Sequence, residues 1–238
     1  MAGMIEIPGL DAIALGWFVT LFAVAGFLGR FGRAQASLTG AVHQRRVIWM
    51  QNMARRDNRM MDVVLLQMLS SANTFFASTS VILLGGMAAL LGSGDRVQAL
   101  LEKLPFVAKA SPELFEMKIL FLMVLFVYAF FKFAWAFRLT HYTAIMIGAT
   151  PVMPAADQSG PNVSITTECA EHAGRVAVLA GLSAEHANTG LRTYYFAISG
   201  ILWFFHPALF MAATAWVLVI LLRREFFSRS RRAIALPA

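Results

Sequence analysis

Few residues of this chain combine a reactive side chain with an informative position, and Lys132 is the clearest. It is the only charge in the apolar run from Ile119 to Phe137. An ammonium about two turns inside the edge of such a run is costly unless it is paired or snorkels to the interface on its own stem. Tyr128 and Trp135 fall on its face at helical spacing. Asp62, at the start of an earlier apolar stretch, sits at a comparable depth and is the expected partner.

A second constellation is Gln67, Ser70, Ser71, Thr74 and Ser78. At 100° per residue these positions share one narrow helical face, about 100° wide. Hydroxyls and amides in hydrocarbon do best against a neighbouring helix or a wet cavity, so this face is expected to look inward. Histidines 43, 141, 172, 186 and 206 raise the question of haem. Only His206 falls near the middle of an apolar stretch, and no second histidine shares its level, so bis-His ligation is not expected. Glu168, Glu171, His172, Glu185 and His186 do not place three ligands on one helical face, and the lone Cys169 has neither a disulfide partner nor metal-ligand neighbours. No cofactor or metal is expected. The chain has no GxSxG, GxxxxGK or GxGxxG pattern, so an enzyme is the least supported class and no residue is assigned a catalytic role.

The elements that must position these groups are membrane helices. Of 238 residues, 58% are hydrophobic and 14% are charged, which excludes an ordinary soluble domain. The net charge of +7 comes mostly from arginines between Arg30 and Arg59 and between Arg223 and Arg232. Because they flank apolar spans, they point to anionic lipid headgroups and not to nucleic acid.

The spacing predicts one membrane domain over residues 1–238, with spans at about 10–29, 63–92, 119–138 and 194–222 and cytoplasmic helical segments at about 41–60 and 163–187. The first run lacks a positive leader region, so it is expected to stay as a span. Arg30 and Arg33 place its C-terminal end in the cytoplasm. Ser111-Pro112-Glu113 opens the third span with an N-cap, a proline at the first helical position and an acid in the first turn. Residues 152–162 read as a linker. The segment 163–187 carries a ridge of Ala170, Ala173, Ala177, Ala180, Ala184 and Ala187 suited to close packing, and Asn188-Thr189-Gly190 is read as its stop. The last stretch is interrupted by His206-Pro207. Four full spans from an outside N-terminus would leave the C-terminal arginines outside, against the positive-inside rule. Either the stretch is one long proline-kinked span, the commoner arrangement and the one preferred here, or His206-Pro207 turns a hairpin that returns the tail to the cytoplasm.

The segments RDNRMMD, FFASTSVILLGGMAALLG, ELFEMKILFLMVLFVYAFFKFAWAFRLTHYTAIMIGATP and LRTYYFAISGILWFFHPALFMAATAWVLVILLRREFFSRS, in that order, resemble the bacterial membrane family called domain of unknown function 599, over roughly residues 45–230. The resemblance implies a bacterial inner-membrane protein with about four helices, and it carries no activity or catalytic residues to transfer.

The expectation is therefore an all-α integral membrane protein, a bundle of about four transmembrane helices with cytoplasmic amphipathic helices. Its expected partners are the lipid bilayer and either copies of itself or a larger membrane complex, in which it serves as a structural or interaction subunit. A channel or transporter using the polar face of the second helix is the alternative. Asp62, Gln67, Ser70, Ser71, Thr74, Ser78, Lys132 and His206 are the positions singled out.

Overall fold

The computed structural model describes residues 8–31, 37–101, 103, 111–151 and 163–235; the linker expected at 152–162 lies outside them. Eight α-helices form the described chain: α1 (Gly9–Phe31), α2 (Leu38–Ala54), α3 (Met60–Gly92), α4 (Gly94–Leu101), α5 (Pro112–Gly148), α6 (Val163–Ile201), α7 (Pro207–Phe227) and α8 (Arg229–Ile234). Four stretches are long and apolar enough to cross a membrane: Gly9–Gly29, Met60–Gly92, Pro112–Gly148 and Pro207–Ile234. Local chemistry sets the starts. Ser111 Oγ accepts from the Leu114 N–H at 3.2 Å with Pro112 behind it, and Ser37 Oγ accepts from the Gly40 N–H at 2.9 Å to cap α2.

The centre of the bundle is the antiparallel pair α5 and α6. Helix α6 is held close because it offers glycines where α5 offers bulk: a Cβ on Gly190 would come within 2.7 Å of the Phe133 ring, and one on Gly200 within 2.7 Å of Leu122. Three hydroxyl pairs tie α6 to its neighbours. Ser183 meets Thr140 of α5 at 2.8 Å, Tyr194 meets Ser80 of α3 at 2.8 Å, and Ser199 meets Thr214 of α7 at 3.2 Å. Such bonds average about 0.6 kcal/mol in membranes, so the apolar packing around them dominates. That packing forms two cores. One is aromatic, with Phe18, Phe126, Phe196, Trp203 and Phe210. The other is rich in Met and Ala, with Met50, Met53, Leu66, Ile147, Val176 and Ala177, and it binds α2 to the extensions of α3, α5 and α6. Of the alanine ridge, Ala173, Ala177 and Ala180 are buried, Ala184 and Ala187 half-buried, and Ala170 exposed.

Two boundaries differ from the sequence reading. Asn188-Thr189-Gly190 does not end a helix: α6 runs through it, because Gly190 is the notch for Phe133 and tertiary packing overrides a weak stop signal. The stretch 194–222 is not one kinked span either. Helix α6 ends at Ile201, a 3-10 turn covers Leu202–Phe204, and α7 starts afresh at Pro207. The chain reverses there, since Tyr195 near the end of α6 meets Arg224 near the end of α7. The tail therefore returns to the end of the bundle that carries α2, where Arg45 Nε donates to the Ile234 carbonyl at 2.8 Å.

Candidate functional site

The polar stripe stands on α3, but it does not face the core. Asp62, Leu66, Asn73 and Ser80 form the buried side of that helix, whereas Gln67, Ser71, Thr74 and Ser78 are exposed and Ser70 is half-buried. The buried side was decided by contact with α5 and α6, which polarity along α3 does not encode. Two of the hydroxyls bond their own helix, Ser71 to the Gln67 carbonyl at 2.9 Å and Thr74 to the Ser70 carbonyl at 3.2 Å. Together with Phe137, Thr140 and His141 of α5, Gln67, Ser70, Ser71 and Thr74 of the stripe line a groove of about 540 Å³.

The depth of this groove follows from the register of α3 on α5. Phe76 stacks on Phe133 at 5.1 Å, and the Arg59 guanidinium caps α5 by donating to the carbonyls of Ile147, Thr150 and Pro151. The apolar run of α5 consequently lies beside roughly residues 72–90 of α3, at 1.5 Å per residue in both helices. The first three turns of α3 lie beside Arg138, His141 and the end of α5. There Met60, Met61, Met68 and Leu69 are 72%, 66%, 66% and 55% exposed.

The expected pair of Lys132 and Asp62 is not formed. Asp62 lies at the α2 end of α3, where its Oδ1 accepts from Arg56 at 2.7 Å and from the Trp49 indole N–H at 2.7 Å. Lys132 lies about four turns away by the same register, with its ammonium over the Tyr128 ring at 5.1 Å. Equal distance from an apolar boundary did not mean the same boundary level, because α3 is apolar well beyond the point where α5 becomes charged. Asp62 Oδ2 is buried and has no partner among the described residues. His206 is not in the middle of an apolar helix. It caps α7, its Nδ1 accepting from the Ala208 N–H at 3.1 Å, in the turn at the end of the bundle.

The charge cluster that sequence reasoning missed lies at that end. Lys118 Nζ is 3.2 Å from Asp11 Oδ1 and donates to the Trp203 carbonyl at 3.1 Å, while the Trp203 indole N–H donates to Asp11 Oδ1 at 2.7 Å. All three side chains are buried. Neither ion was singled out from the sequence; the available signal was an acid at the second residue of the first apolar run and a lysine one residue before the run from Ile119 to Phe137.

Among the described residues no three His, Cys, Asp or Glu side chains converge as a metal site. Neither curated proteins nor solved structures supply a match to the chain. A family model does match, over residues 13–230, and its description reads protein of unknown function, DUF599. With nearly the whole chain covered by that match, including every helix of the central bundle, the protein belongs to the DUF599 family.

Proposed function

We propose that this chain is a structural or interaction subunit of the bacterial inner membrane that associates with a second copy of itself through the outer face of α3. The observation that carries this reading is the surface of the first turns of α3. There exposed methionines and leucines continue beyond the level at which α5 turns polar, beside the hydroxyl-lined groove. An apolar strip beyond the hydrocarbon, or hydroxyls within it, is best covered by protein. The sequence from Val63 to Gly92 holds no charged residue, so two copies can meet there across a two-fold axis without repulsion. Arginine asymmetry puts the α2 and α8 end in the cytoplasm. In this arrangement the second half of α6 is a fifth crossing, shielded by α1, α5 and α7. The channel or transporter reading has less support, because the hydroxyls of Ser80, Tyr194, Ser199 and Thr214 are spent on one another.

Native mass measurement in mild detergent tests the proposal. The parent is expected as a dimer or larger, and Ser71→Leu and Thr74→Leu as folded monomers. A monomeric parent, or variants that assemble unchanged, would overturn it.

A further inference from the structure

A second cavity, of about 650 Å³, lies between α1, α2, α6 and α7, on other helices than the α3 groove. That volume is in the range of small-molecule sites. Its lining changes character along its length. Leu218, Leu221 and Leu28 are apolar walls, while Arg46, Arg192 and Arg224 line it together with Glu185 and Glu225. Three guanidinium groups against two carboxylates leave one net positive charge.

The charges are not equally committed. Glu225 Oε1 accepts from the Thr39 N–H at 2.9 Å, which anchors the start of α2. Arg224 stacks over the Tyr195 ring. Arg192 donates one of its five N–H groups to the Ala25 carbonyl and packs against Gly29, where any Cβ would strike it. The small pair Ala25 and Gly29 thus receives a guanidinium and not a partner helix. Arg46 is paired with no carboxylate among the described residues, and burial alone disfavours its charge. The cavity sits where α1 ends and α2 begins, beside the arginines of α7 and α8, at the level expected for headgroups.

We propose that this cavity holds an anionic phospholipid, its phosphodiester on Arg46 and Arg192 and an acyl chain along the leucines. A headgroup of charge −1 neutralises the surplus guanidinium, whereas a zwitterionic lipid leaves it. Arginine suits the phosphodiester because its planar fork can give two parallel hydrogen bonds to it.

The test uses the full chain, delipidated in mild detergent and titrated by native mass spectrometry with phosphatidylglycerol, phosphatidylcholine or glycerol phosphate. Phosphatidylglycerol should bind at least about tenfold more tightly than phosphatidylcholine. Arg46→Gln should lose about tenfold, as expected for one charge-assisted contact. Leu221→Trp, which fills the apolar arm, should lose binding independently of charge, and Arg138→Gln, outside the cavity, should bind as the parent does. Equal affinity for the two lipids, unchanged binding by both cavity variants, or equal binding of glycerol phosphate alone would overturn the assignment; the last would mark a free-phosphate site.

Discussion

Replacing Lys118 by methionine removes an ammonium that is 3% exposed and 3.2 Å from Asp11 Oδ1, while keeping the length of the stem. Asp11 is then left with the Trp203 indole N–H as its remaining donor, in surroundings of Phe18, Ala14 and Phe210. Removing one member of a buried, hydrogen-bonded pair costs about 3–5 kcal/mol, because the other charge stays desolvated. For a chain of this length that corresponds to about 6–20 °C in Tm, at about 2–4 °C per kcal/mol. Asp11→Leu should cost a comparable amount, since it strands the ammonium with only the Trp203 carbonyl. The double variant removes both charges, so it should fall well short of the sum, with a coupling of about 2–3 kcal/mol. Thermal unfolding in mild detergent, followed by tryptophan fluorescence, measures all four corners of the cycle. Losses that add to within about 0.5 kcal/mol would show that the pair is not a unit and refute the reasoning.

Gly200→Val should destabilise by about 1–3 kcal/mol, because its side chain must displace Leu122, whereas Gly85→Ala meets open space and should gain up to about 1 kcal/mol of helix propensity in the same unfolding assay. A periplasm-active phosphatase fused after Ala238 should be silent, and one fused after Gly94 active, since the tail lies with α2 and Gly94 follows the far end of α3; the opposite pattern would contradict the orientation proposed. His206→Ala should cost about 1 kcal/mol, the worth of an N-cap, and leave the oligomeric mass unchanged.

Apolar runs long enough to cross a bilayer made the membrane class and the helices α1, α3 and α5 legible, and Ser111-Pro112 fixed one start to the residue. Helix α6 was cut in two because Asn188-Thr189-Gly190 read as a C-terminal stop. Packing decides otherwise: Gly190 seats the Phe133 ring and Arg192 donates to the Ala25 carbonyl, and both contacts belong to the assembled bundle. The stripe on α3 was visible by spacing, but its direction was not: polarity identifies a distinct face, and only packing shows whether that face is covered within one chain. Asp62 was singled out as the partner of Lys132, and the structure gives it others. Arg56 and Trp49 reach it through a turn that sequence depth does not resolve.

The central claim is that the α3 face meets a second copy of the chain, and single-cysteine crosslinking in isolated membranes tests it most directly. With the buried Cys169 replaced by alanine, Thr74→Cys should give an oxidant-dependent dimer. Val219→Cys, 53% exposed but on α7 and away from the α3 face, should remain monomeric. Crosslinking that is equal at both positions, or absent from Thr74→Cys and from neighbouring stripe positions, would contradict the claim.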